Sequence, residues 1–432
     1  MIDKSKLAIF GGNPVISNEL LNYQAIDDSD IQVALEVLKS GNLSQFLGDL
    51  SPYFYGGKYV QEMEKAWANY FNVDFAISCN SWTSGLWLSI GALEIDPGSE
   101  VIVSSWTMAA TATTILHWNL IPVFADIDPR TFNLDLQDVE NKITPNTRAI
   151  VSPDIFGQSA DIEGLRKLCL KYDLHLVSDT AQAPGAKRND YFAGTKSDIG
   201  GFSLNYHKHI HAGEGGVVVA NSSKFAERVQ LLRNHGEVVV GKTSSESPKF
   251  GILGMNMRMG EIEAAIANNQ LSKLSNAISS RQIAAKQLND VLVDFEGLQI
   301  PYVDEGNSHV YYVYGLTIDT ELLGLSRQII RDALVAEGVP AVMNGYQNIH
   351  SLPLFKKQLT YRSNPLPYSL ISKKRLEEIT NFELKVAENL HLSSFLGINW
   401  CAKKLNFEDV KLIGKAFEKV WSNLDILRKT VK

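Results

Sequence analysis

Three short stretches carry side chains whose type and spacing could do chemistry. The first is Gly200-Gly201-Phe202-Ser203-Leu204-Asn205-Tyr206-His207-Lys208-His209-Ile210-His211-Ala212-Gly213-Glu214-Gly215-Gly216. Lysine is almost never buried without a partner, yet Lys208 lies between an apolar strand-like run and a glycine-rich turn. A desolvated lysine is partly neutral and attacks carbonyl carbon, and Phe202, Leu204 and Ile210 could supply the apolar surroundings. A surface lysine fits the same residues. His207, His209 and His211 alternate, so in a strand they would share one face. No carboxylate or thiolate stands nearby at a metal-motif spacing, so we expect no metal and place His207, His209 and His211 in a polar cleft beside Lys208. Gly213-Glu214-Gly215-Gly216 lacks the strand-to-helix context of a dinucleotide loop.

The second stretch, Leu176-Val177-Ser178-Asp179-Thr180-Ala181-Gln182, puts an acid at the end of a predicted buried strand. Ligands of open parallel sheets bind beyond the strand C-termini. Asp179 is either a helix cap or a buried carboxylate held ionised by a cationic ligand atom. The third, Asn80-Ser81-Trp82-Thr83-Ser84-Gly85, joins a predicted strand to a predicted helix. Free N–H groups at a helix start can hold a phosphate dianion, and ordinary N-capping accounts for the same residues.

These stretches need a frame. Between residues 72 and 234 short β-branched runs alternate with amphipathic ones, which calls for parallel strands joined by helices. Strands are predicted at 75–79, 100–103, 121–127, 149–151, 174–178, 199–204 and 215–220, with helices at 82–93, 109–118 and 162–172. The last two strands lie too close for a helical crossover, so a hairpin or an irregular loop joins them. Apolar positions from Met259 to Ile278 keep a helical period and predict one long connector helix. We therefore expect a large α/β domain over 1–280, with an N-terminal arm and that connector, and a smaller α+β domain over 281–432. In the second, a strand is predicted at 309–314 and helices at 327–337 and 407–427, while 348–353 and 362–367 are predicted surface loops.

Composition narrows the partners. The 432 residues are 45% apolar and 21% charged, which is globular, and 41 Lys and Arg against 48 Asp and Glu give a net charge of −7. No basic stripe points to nucleic acid or an anionic membrane, so the expected partner is a small molecule. Cys79, Cys169 and Cys401 are too few and too scattered for a disulfide framework. With no apolar run near the ~18 residues of a membrane span, we expect a soluble cytoplasmic protein.

In this order the three stretches resemble the DegT/StrS family of pyridoxal-phosphate-dependent sugar aminotransferases, within the aspartate-aminotransferase fold type I group. Phe124-Ala125-Asp126-Ile127-Asp128-Pro129 and Gly254-Met255-Asn256-Met257-Arg258-Met259 match in register too, and the resemblance runs over nearly the whole chain. It implies a mostly parallel central sheet flanked by helices, a homodimer with composite sites, and pyridoxal 5'-phosphate cycling through pyridoxamine 5'-phosphate. By the same resemblance Lys208 bonds the cofactor covalently and moves protons, while Asp179 pairs with the pyridinium nitrogen and Gln182 faces the ring hydroxyl. Ser203 and the turn Ser81, Trp82, Thr83 hold the phosphate, and Asn256 reaches in from a second subunit.

Three residues depart from the family pattern. Trp82 replaces a glycine, so its ring must sit near the phosphate or point into the core. Met108 replaces the aromatic that stacks on the cofactor, a place Trp106 could fill instead, and Asp154 replaces a histidine. The implied reaction moves an amino group from an amino acid, L-glutamate by expectation, to a keto-sugar, nucleotide-linked by expectation, with keto-sugar phosphates and inososes as further candidates. His207, His209 and Tyr346 are the expected acceptor-side residues. The rivals are a dehydratase of the same family, where histidine replaces the lysine, and a non-catalytic cofactor-binding regulator.

Overall fold

The computed structural model describes residues 6–48, 51–236, 252–358, 360–361 and 363–430. Seven strands build the main sheet: β1 (Phe75–Cys79), β2 (Glu100–Ser104), β3 (Ile121–Ala125), β4 (Thr147–Pro153), β5 (His175–Asp179), β6 (Ile199–Ser203) and β7 (Gly216–Ala220). Their order is β1-β7-β6-β5-β4-β2-β3. Pairings are parallel from β3 to β6, while β7 runs antiparallel between β6 and β1. Val101-Ile102-Val103 and Ile150-Val151 are wholly buried, as the strands of a sheet covered on both faces must be. The short link between β6 and β7 gives the antiparallel pair that its length demands.

Register decides what meets at one edge of this sheet. Pro153 pairs with Asp179, Asp179 with Gly201, and both Ser203 and Cys79 with Gly216. Asp179, Ser203 and the turn after Cys79 are thereby neighbours. Helix α1 (Trp82–Ala92) follows β1 and α2 (Ala110–His117) follows β2, so both start at this edge. Gly216 must be glycine here: a Cβ on it would lie 2.7 Å from the Ser81 carbonyl and the Trp82 nitrogen.

A second, antiparallel sheet has the order β8-β9-β11-β10, with β8 (Leu298–Gln299), β9 (Tyr314–Ile318), β10 (Val342–Met343) and β11 (Phe395–Ile398). The connector is two helices, α3 (Glu261–Leu271) and α4 (Leu274–Leu292). At the break Lys273 pairs with Asp27 and Asp30 at 2.7 and 2.6 Å. The C-terminal helix likewise divides into α5 (Phe407–Trp421) and α6 (Leu424–Thr430). The strand predicted at 309–314 starts only at Tyr314. Before it, Tyr311 takes a left-handed φ of 51°, and Val310 and Val313 bond to the carbonyls of Gly157 and Phe156 instead of to a strand.

The cores do not follow chain order. Leu7 and Ile16, grouped by sequence with the first domain, pack with Leu316, Leu334 and Phe417 in the core around α4, α5 and the small sheet. Ile349, Phe355, Tyr368 and Ile379 return to the core of the main sheet. The predicted surface loop at 348–353 is thus partly interior, with Asn348 and Ile349 buried. Of the loop predicted at 362–367, Arg362 lies outside the described residues.

Candidate active site

Asp179 ends β5, is buried, and accepts three hydrogen bonds. Its Oδ1 receives the Trp82 indole N–H at 2.6 Å and the Ala181 N–H at 3.3 Å. Its Oδ2 receives the Thr111 hydroxyl at 2.7 Å. Donors on both oxygens stabilise the ionised carboxylate, so burial is compensated. Asp179 is no helix cap, because no helix follows it directly.

Lys208 is also buried, at 7% exposure, but its amine has no hydrogen bond or ion pair with any described residue. It stands 4.4 Å over the Tyr312 ring. Burial pushes its pKa down to about 8, against the opposing pull of the Asp179 charge. The polypeptide offers this amine a desolvated, mildly cation-attracting wall, so a neutral fraction is available at physiological pH.

At the start of α1, Ser81 caps the helix by accepting from the Ser84 N–H at 3.1 Å. The Trp82 and Thr83 N–H groups precede the intrahelical ladder and remain open, with the helix dipole behind them. Trp82 itself points inward. Its ring fills a slot in which a Cβ on Gly85 would come within 2.5 Å and a Cβ on Gly201 within 2.1 Å.

One cavity of about 190 Å³ gathers Ser81, Trp82, Thr83, Met108, Asp179, Gln182, Ser203, His207, Lys208 and Tyr346. Gln182 is fixed there, accepting from the Phe156 N–H and donating to the Tyr346 hydroxyl, both at 3.0 Å. Met108 stands at the mouth, 56% exposed. Trp106 is not an alternative to it, being fully buried among Phe132, Phe156 and Phe395 with its N–H on the Tyr346 carbonyl at 2.6 Å. Asp154 lines the cavity too, accepting from Ala160 N–H and the Thr180 hydroxyl at 2.7 and 2.6 Å, and burial pushes its pKa up to about 7.

Three expected residues lie elsewhere. His209 is fully buried with Nε2 2.8 Å from the Val310 carbonyl. The segment turns instead of running as a strand, which separates His209 and His211 from His207, whose pKa burial pushes down to about 4. Asn256 is exposed, bridging to Asn234 outside this cavity. Thr111, Tyr312, Asn205 and Glu214 were not singled out from sequence. Thr111 had one signal, its place at the start of the helix after β2, whereas Tyr312 is brought in by the irregular backbone at 309–313. A larger cavity of about 420 Å³ lies beside Phe124 and His350, but it contains neither Lys208 nor Asp179, and chemistry outweighs size.

A sheet with this strand order, a buried lysine and an anchored aspartate at its edge define a class, and comparison with known proteins agrees. The chain belongs to the DegT/DnrJ/EryC1/StrS aminotransferase family, whose model matches residues 26–379, and it is a pyridoxal-phosphate-dependent aminotransferase. Among its relatives, the GDP-perosamine synthase of Caulobacter vibrioides is 33% identical over 69% of this chain and 78% of that protein. The L-glutamine:2-deoxy-scyllo-inosose aminotransferase of Streptomyces lividus is 30% identical over 96% of this chain and 97% of that protein. Among solved structures, Helicobacter pylori PseC, an aminotransferase involved in the biosynthesis of pseudoaminic acid, superposes with a TM-score of 0.77 at 26% identity, covering 94% of this chain and 100% of that one.

The residues present fit pyridoxal phosphate. A desolvated amine without polar partners suits an aldehyde, a carboxylate with acceptor capacity left suits a ring N–H, and open helix N–H groups beside the Thr83 and Ser203 hydroxyls suit a phosphate dianion.

Proposed function

We propose that this enzyme transfers an amino group from an amino acid, L-glutamate as the expected donor, to a ketone on a nucleotide-linked sugar. The observation that carries the reading is Lys208, a buried amine without a polar partner among the described residues, in the cavity that also contains Asp179. When bound, pyridoxal phosphate supplies the electron sink that lets the donor's Cα–H bond break. Lys208 would hold it covalently, then carry the proton from the donor carbon to the cofactor and back in the second half-reaction. Asp179 would keep the ring nitrogen protonated, and Gln182, positioned by Phe156 and Tyr346, would face the ring hydroxyl. Ser81, Trp82 and Thr83 with Ser203 would hold the phosphate through backbone N–H and hydroxyl donors, with Met108 at the outer face. His207 and Tyr346 would meet the acceptor.

A sugar acceptor is supported by the relatives, which include a perosamine synthase and an enzyme of pseudoaminic acid biosynthesis. An inosose is the alternative that the Streptomyces lividus relative brings. Lys208 at this position favours transamination over dehydration, because only a lysine can release the cofactor to the donor and take it up again. L-Glutamate alone should release 2-oxoglutarate matched to sites, and a GDP- or UDP-linked 4-keto-6-deoxy sugar should then yield an amino-sugar by mass spectrometry. A deoxy-keto-sugar with free ammonia as main products would make it a dehydratase.

We further propose a cytoplasmic homodimer, divided near residue 280, in which Asn256 completes the partner's site. No helix among the described residues is long and apolar enough to cross a membrane, and Asn256 faces outward. Mixing Lys208→Ala with Asn256→Ala subunits should restore activity, since one site per heterodimer then carries neither defect. Heterodimers without activity would put Asn256 in its own subunit's site.

A further inference from the structure

Asp179 has a partner that a simple ring-binding carboxylate would not need. Trp82 is 95% buried, 5% of its surface remaining, and the indole lies where glycines on two separate elements leave room for it. Gly85 is one turn along α1, and Gly201 is the residue that pairs with Asp179 across β5 and β6. The slot brings Nε1 to 2.6 Å from Asp179 Oδ1. On the other oxygen Thr111 Oγ1 donates at 2.7 Å, and Ala181 N–H adds a longer bond to Oδ1.

A carboxylate offers about four acceptor positions, and three are taken. We infer that Trp82 is a positioning residue, whose indole N–H fixes the Asp179 carboxylate in place with its remaining acceptor capacity aimed at a cationic ring N–H. The inference rests on the reading above, in which that ring is the pyridine of pyridoxal phosphate. Its physical content is orientation. The indole N–H and the Thr111 hydroxyl hold the two carboxylate oxygens separately, so the group cannot turn and its open acceptor position keeps one direction. Removing the indole N–H leaves Oδ1 with the long Ala181 bond alone, so the carboxylate can turn away from the ring N–H and the pair weakens, while a phenyl ring still fills most of the slot.

The test is binding to the cofactor-free protein, which does not depend on turnover. Wild type and Trp82→Phe are titrated with pyridoxal phosphate and with its deaza analogue, in which C–H replaces the ring nitrogen. Wild type should prefer pyridoxal phosphate, and Trp82→Phe should lose roughly tenfold in affinity for it while binding the analogue within about twofold of wild type. An equal loss for both ligands would reduce the indole to packing and overturn the inference, as would no loss for either. Wild type that fails to prefer pyridoxal phosphate would overturn the underlying reading of Asp179 itself. Should Trp82→Phe not fold, Gly85→Ala serves in its place: its new methyl displaces the indole without deleting it and must give the same selective loss.

Discussion

Asp179 and Lys208, both in the cavity, are treated in opposite ways. Asp179 is tied on both oxygens, with donors from α1, from α2 and from its own loop, whereas the Lys208 amine stands over an aromatic ring and has no hydrogen bond or ion pair among the described residues. Both are buried, so burial alone teaches nothing about role. Partners do: a group that must stay charged and still is tied on several sides, and one that must change its bonding is left free. Desolvation is compensated at one end and left uncompensated at the other, where it lowers the amine's pKa.

The largest break in this comparison is to remove the free group. Lys208→Ala should cost about 10⁴-fold or more in turnover, read as 2-oxoglutarate released from L-glutamate in a single turnover. Borohydride reduction of wild type should label Lys208 in a peptide map, and label on another lysine would refute the assignment. Making the tied end neutral is the next step. Asp179→Asn should retain the cofactor but lose roughly 10²- to 10³-fold in kcat, and near-normal turnover would contradict the ring-nitrogen role.

A third experiment measures what the free end costs. Lys208 titrates at about 8 folded and 10.5 in the unfolded chain, so between these values the unfolded state binds more protons and stability rises with pH. Cofactor-free Lys208→Met should therefore be more stable than wild type at pH 7, by up to about 3 kcal/mol. That margin should shrink between about pH 8 and 10.5, as followed by urea unfolding. A constant margin would mean that lost packing and not charge sets the difference. The smallest effect belongs to one donor at the tied end: Thr111→Val should lower kcat/KM roughly five- to tenfold, since the Trp82 and Ala181 donors remain.

Much of the site was legible because its parts sit at strand ends, where periodicity is strong. Asp179, Ser203 and Ser81 each close or follow a short apolar run, and those runs are strands within one or two residues of the predicted bounds. What stayed hidden depended on backbone that leaves regular geometry. His209 was placed in the cleft by a strand's alternation, and the turns after Asn205 cancel that alternation. Tyr312 was read as part of a strand, and the left-handed Tyr311 delivers it beneath Lys208. Trp82 could be recognised as a departure, and Gly85 lies close by, yet the other side of its slot comes from Gly201, more than a hundred residues away along the chain, and such pairs carry no local signal.

The crossing of the two cores bears on how the molecule can come apart. Leu7 and Ile16 lock the start of the chain into the core built around α4 and α5, and the segment from Ile349 to Leu390 completes the core of the main sheet. Severing the polypeptide near residue 280 would leave each piece with an apolar surface whose cover is on the other. Neither half is then an autonomous folding unit, so loosening one exposes the other, and the edge that carries Asp179 and Lys208 inherits the cooperativity of the whole chain.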